Sequence, residues 1–179
     1  MTRRYYIIFF VISLIIAIAT TSMKLSKNKI ATAAGGTYNA KNLDQLISDS
    51  PLIIIGNVVE EKETIKEDSV RYKVSNVKVV EILKGNILLS SDYISLMQMG
   101  IAQDPAVEKG EKVLLFLQKY QGKSYYDGYV CVGLGQGYYT IKNKKVVPSS
   151  SLSYSLKKSI EEQDDIFEYI KLQAAISLE

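Results

Sequence analysis

Residues Val70 to Gly85, VRYKVSNVKVVEILKG, constrain the fold more than any other stretch of this chain. Apolar residues fall at every second position at Val70, Tyr72 and Val74. After Ser75-Asn76 the pattern resumes one step out of phase at Val77 and Val79, then moves again to Val80 and Ile82. Strict alternation marks a half-buried strand, and a one-residue slip marks a bulge at which the strand bends. At about 3.3 Å per residue the stretch is far longer than an ordinary strand. A long bent strand can pair with neighbours on both halves of a closing sheet, so the pattern predicts an all-β barrel or sandwich.

The flanking sequence supplies partners for it. Leu43 to Ser50 reads as a short helical turn capped by Asn42 and ended by Pro51. Leu52 to Glu60 (LIIIGNVVE) is short, apolar and β-branched, as a strand buried on both faces would be, with Gly56 marking a bend or a close backbone approach. Glu61 to Ser69 is charged and turn-like, which makes this strand and the long one a hairpin. Further strands are expected at Tyr93–Met99, Lys112–Gln118, Tyr125–Leu134 and Gly137–Ile141, with a loop over Gly100–Gly110. Glycines 133, 135 and 137 kink the chain, and Asn143 with Lys144-Lys145 turns it tightly into Val146-Val147. Leu156, Ile160, Phe167, Ile170 and Ala174 form one apolar stripe of a single C-terminal amphipathic helix over about residues 152–176, capped by Ser153 or Ser155. Its acidic residues Glu161 to Asp165 are placed on the exposed face.

The first residues have a different character. Met1 to Arg4 is a basic head, and Tyr5 to Ala19 carries no charge, as in the n- and h-regions of a secretory signal. Ala17-Ile18-Ala19 supplies a small-x-small cleavage pattern near Ala19. Extended to Met23, the same apolar helix reaches the length of a membrane span, so residues 1–23 are a signal peptide or an uncleaved anchor through residues 5–23. Lys24, Lys27 and Lys29 offset the positive-inside bias that would orient such an anchor. Residues 24–42 read as a flexible tether and 43–179 as the folded domain. Either way the chain is expected outside the cytoplasm. Its one cysteine, Cys131, permits no intramolecular disulfide, so the domain must be stable through its own core. Without Arg3 and Arg4 the 22 basic residues become 20 against 19 acidic, which gives no reason to expect nucleic acid as a partner.

The runs DSPLIIIGNVVE, YKVSNVKVVEILKG, GEKVLLFL and GLGQGYYTIKNKKV, in that order, resemble a broad group of exported bacterial domains of undefined function. Their layout is similar to the netrin-like module of tissue metalloproteinase inhibitors. The resemblance covers about residues 44 to 147. It implies a mainly β fold: an OB-like closed or partly open barrel of five to six strands with a companion helix, used for binding. Inhibitors of that type act through an N-terminal cysteine that chelates zinc, and this chain has no such cysteine, so only the fold is carried over.

Residue types narrow the chemistry. The chain has no histidine, which removes Ser-His-Asp and Cys-His catalysis, HExxH zinc sites and imidazole bases together. Carboxylate catalysis survives that exclusion, with Glu60, Glu61 and Glu63, or Asp164, Asp165 and Glu168, as its candidates. A solvated hairpin loop and the polar face of a helix explain the same two groups. Cys131, in YVCVG, reads as a small buried hydrophobe. Gly133 to Gly137 (GLGQG) lacks the spacing of a dinucleotide loop and leads into a strand. No catalytic residue, metal or cofactor is implied.

Tyrosine is the residue type in excess, at thirteen. Tyr120, Tyr125, Tyr129 and Tyr138, with Lys119 and Lys123 near them, are the candidate binding surface. Adjacent pairs such as Tyr125-Tyr126 and Tyr138-Tyr139 must point to opposite faces, which divides the cluster. The reading that results is a non-enzymatic binding module at the bacterial cell envelope, its partner an envelope protein, a peptide or a glycan. Two other classes stay open: a carboxylate hydrolase or carbohydrate-active enzyme, and a structural envelope protein that contacts membrane neighbours through an exposed apolar patch.

Overall fold

The computed structural model describes residues 38–67, 69–87, 92–123, 125, 127–150 and 152–176. The expected leader helix and residues 24–37 of the expected tether lie outside them. Among the described residues no helix is long and apolar enough to cross a membrane.

Helix α1 spans Leu43–Asp49 and begins where the sequence places its cap, with Asn42 Oδ1 accepting from the Gln45 N–H at 2.9 Å. Seven strands follow: β1 Leu52–Glu67, β2 Val70–Lys84, β3 Tyr93–Gln98, β4 Lys112–Lys119, β5 Gly128–Cys131, β6 Tyr138–Lys142 and β7 Lys145–Pro148. A turn of 3₁₀-helix, Leu134–Gly137, joins β5 to β6, and helices α2 (Tyr154–Glu161) and α3 (Ile166–Ile176) end the fold. All seven strands belong to one sheet in the order β1-β2-β3-β5-β4-β6-β7, and β1 also pairs with β4. That extra pairing closes β1, β2, β3, β5 and β4 into a ring of five strands. β3 and β5 run parallel, and the other pairs run antiparallel.

Each ring strand sends alternate side chains into one buried cluster, including Leu52 and Ile54 from β1, Val77 from β2, Leu96 from β3, Leu115 from β4 and Cys131 from β5. Ile53 and Ile55 point the other way, into a second cluster with Phe116, Leu156, Ile166 and Ile170, where α1, α2 and α3 cover the sheet. The continuous apolar run of β1 is therefore buried on both faces over its first half. Gly56 is the close approach anticipated there, since a Cβ would sit 2.5 Å from Val77 Cγ1 and 3.1 Å from the Lys78 carbonyl oxygen.

The two phase slips in β2 have different causes. Between Lys73 and Lys78 the pairing with β3 is unbroken, so no bulge on β2 interrupts that ladder at Ser75-Asn76. Instead the buried face changes: Tyr72 and Val74 belong to a third, smaller cluster with Met97 and Val130, and Val77 to the ring interior. The second slip is a bulge. Gly56 pairs with Val79 and Ile55 with Glu81, which leaves Val80 without an opposite residue. Further irregularities at Val59 and Lys62 lie on β1.

Four boundaries differ from the sequence reading. Glu61 to Glu67 is strand, not turn, because its charged side chains stand on a solvated ribbon that pairs with β2 out to Glu67–Val70. The expected strand Tyr125–Leu134 shortens to Gly128–Cys131, because Gly133 takes a left-handed φ of 66° and opens the 3₁₀ turn. The sheet extends past its ring of five strands, a number within the expected five to six, to a seventh strand that the sequence reading did not mark: β7 pairs with β6 through a turn whose Asn143 and Lys144 have φ of 51° and 64°. The C-terminal helix is two helices. Asp165 Oδ1 accepts from the Phe167 and Glu168 N–H groups, so the acidic segment caps a new helix instead of lining one face of a longer one.

Candidate functional site

The four tyrosines singled out by the sequence divide into two pairs. Tyr129 on β5 and Tyr138 at the start of β6 point into the ring interior, at 6% and 3% exposure. The Tyr138 hydroxyl donates to Glu111 Oε2, and Lys119 Nζ stands 4.5 Å from the centroid of the Tyr129 ring. Tyr139, its neighbour, faces the helices and meets Phe116 edge-on at 5.8 Å, so the adjacent pair is split as its alternation requires.

Tyr120 and Tyr125 come together elsewhere. Both are half-buried in the β4–β5 connection and pack on the small cluster of Tyr72, Val74, Met97 and Val130. That connection closes as Tyr120 N–H donates to the Gly128 carbonyl (2.9 Å) and Gly128 N–H to that of Tyr125 (3.2 Å). Gly128 lets the chain pass close to Met97: a Cβ there would lie 2.6 Å from Met97 Sδ, so a side chain would have to displace the thioether. The Tyr120 ring meets Tyr72 edge-on, with centroids 5.6 Å apart. Ser95 Oγ donates to the Tyr125 hydroxyl at 3.5 Å.

A residue that the sequence reading missed joins this group. Glu67, the last residue of β1, reaches across to the β4–β5 connection with both carboxylate oxygens. Oε2 accepts from the Tyr120 hydroxyl at 2.7 Å, and Oε1 from the Lys123 N–H at 2.6 Å. Burial, and then the bond to Glu67, hold the Tyr120 phenol well above its ordinary range, so it stays a donor at any physiological pH. The signal for Tyr72 was present in the alternation of the long strand. Glu67 gave none, because it sits in a charged segment whose composition suits a turn.

The remaining candidates are placed as follows. Glu60 accepts from Asn76 Nδ2 at 3.0 Å and Glu61 pairs with Lys73 at 3.5 Å, both on the exposed ribbon of β1. Asp164 and Glu168 are exposed, and Asp165 caps α3. Cys131 is buried, and burial, reinforced by the nearby Asp104, pushes its thiol well above the ordinary value. Asp104 is 4% exposed, accepts from the Met99 N–H at 2.6 Å, and is pushed by burial to about 6. The Gly133–Gly137 stretch serves the entering chain: the Gln136 side chain takes the Ala40 N–H at 2.9 Å and gives to the Tyr38 carbonyl at 3.2 Å. Among the described residues no group of three or more acidic, cysteine or histidine side chains could hold a metal.

The arrangement at Tyr120 thus brings together aromatic faces and edges, a sulfur, and two hydrogen-bond donors converging on a carboxylate. Compared with known proteins, the sequence matches no family model and no curated sequence.

Proposed function

We propose that this chain is an exported, non-enzymatic binding module of the cell envelope, built on an OB-like barrel, and that it recognises its partner at the Tyr72–Tyr120–Tyr125 surface. The observation that carries the reading is the gathering of these rings with Met97 on the outer side of β2, β3 and β5, beside the connection from β4 to β5. Loops positioned by a rigid sheet are where binding residues concentrate. The barrel reading is supported by the ring order β1-β2-β3-β5-β4, by the parallel β3–β5 pair and by the helices over one face. Export is supported by the basic head and uncharged run of residues 1–19. The partner class is an envelope protein, a peptide or a glycan.

The test is turnover. Purified protein is expected to leave generic ester, peptide and glycoside substrates unchanged. Robust hydrolysis that disappears when Glu60, Glu61 or Glu63 is replaced would overturn the reading in favour of a carboxylate enzyme. One observation favours a second reading, a structural contact with membrane neighbours: Leu172 and Ile176 on α3 are 60% and 59% exposed, and Val80 and Ile82 on β2 are exposed on either side of Glu81, which pairs with Lys171.

A further inference from the structure

The tip of the β1–β2 hairpin is attached to the rest of the fold in an uneven way. Pairing of β1 with β4 ends at Asn57, and pairing of β2 with β3 ends at Lys73. Beyond these points Ile65–Glu67 and Val70–Tyr72 pair only with each other among the described residues. A two-stranded ribbon is marginal without further packing. Here Ile65 and Val70 pack on the Tyr72–Met97 cluster, and Glu67 is bonded across to the β4–β5 connection.

That bond has the form of a ligand contact. One carboxylate is gripped through both oxygens by two donors on a different loop, a hydroxyl and a main-chain N–H, at 2.7 and 2.6 Å. Charge-assisted bonds of this kind are the strong ones. Below the carboxylate lie the edge-to-face rings of Tyr72 and Tyr120 and the Met97 thioether. The floor is apolar, as suits a hydrophobic side chain.

We propose that Tyr120 Oη and the Lys123 N–H form a carboxylate-binding site that Glu67 fills from within the chain, and that the partner is a peptide carrying an acidic group next to an apolar side chain. The inference rests on the binding-module reading and specifies its site. Glu67 acts as an internal stand-in: a competing acidic peptide takes the two donors, the hairpin tip lifts, and the apolar side chain enters above Tyr72.

The test uses the full chain and its Glu67→Ala variant, with fluorescent acetyl-Phe-Glu-amide as probe and acetyl-Phe-Gln-amide and glucuronate as controls. Binding is read by anisotropy, and hydrogen exchange across residues 119–130 by mass spectrometry. Removing Glu67 is expected to tighten the Phe-Glu probe about tenfold or more over the unaltered chain, with the Phe-Gln probe weaker by a similar factor. Acetate is expected to restore exchange protection of the 119–130 segment in Glu67→Ala, while acetamide does not. Equal binding of the two peptides, binding of neither, or preference for glucuronate would overturn the inference. A variant that fails to fold is replaced by Glu67→Gln, judged by the same outcomes. Acetate rescue without peptide binding would overturn the peptide assignment and leave the binding-module reading to its own test.

Discussion

Replacing Asp104 with asparagine isolates what it costs this fold to bury one carboxylate. Asp104 lies in the β3–β4 connection at 4% exposure, with the Met99 N–H at 2.6 Å and the buried Cys131 thiol near it. Burial raises its pKa from 3.8 to about 6, against the lowering effect of the Met99 bond. Because the folded value lies above the unfolded one, the native protein keeps its proton between those limits while the unfolded chain has lost it. Stability from this group is therefore fully present below about pH 4 and is lost as pH rises through about 6. At about 1.4 kcal/mol per pH unit, the loss amounts to about 3 kcal/mol at neutral pH. Asparagine keeps an acceptor for Met99 and cannot titrate, so its other effects are constant with pH. The assay is urea unfolding of both proteins from pH 4 to 7.5. The stability of Asp104→Asn minus that of the unaltered protein should rise by about 2 kcal/mol over that range, which cancels every other titrating group. A difference that stays flat within about 0.5 kcal/mol would refute the reasoning.

Three further substitutions test the packing and the turns. Gly56→Ala drives a methyl into Val77 and the Lys78 carbonyl, neither of which can swing aside, and should cost about 2 kcal/mol in chemical unfolding. Asp165→Ala removes the acceptor of two N–H groups at the start of α3 and should cost about 1 kcal/mol, with amide exchange rising in that helix first. Lys144→Gly should stabilise by about 1 kcal/mol, because Lys144 sits at φ 64° in the β6–β7 turn; a melting temperature that falls instead would contradict the strain argument.

What the sequence disclosed, and what it did not, follows from the range of the interactions involved. Asn42, Pro51 and Asn143-Lys144 act on their own backbone, so a cap, a stop and a hairpin turn could be read locally. The apolar run of β1 announced two buried faces because both sides of that strand are covered. The slip at Ser75-Asn76 was visible, but its cause was not. A strand that changes its buried face gives the same pattern as a bulge, and only the covering residues Tyr120 and Tyr125, some fifty positions away, separate the two. Periodicity alone joined α2 to α3, since Leu156 and Ile170 share a stripe that the break at Asp165 does not disturb. Tyrosine counting grouped Tyr120 and Tyr125, which the fold brings to one cluster, with Tyr129 and Tyr138, which strand alternation turns inward. Glu67 could not be found from the sequence at all. Its partners are 53 and 56 residues distant, and nothing local distinguishes it from Glu60, Glu61 or Glu63.

The account stands on the Tyr120–Tyr125 connection being a recognition surface. The most direct measurement is photo-crosslinking in the cells that make the protein, with p-benzoylphenylalanine placed at Tyr125 and, as a control, at Tyr154, which is 81% exposed on α2. The account predicts a discrete adduct from Tyr125 that weakens on Tyr120→Ala and is absent from Tyr154. Adducts of equal yield at both positions, or an adduct from Tyr154 alone, would contradict it.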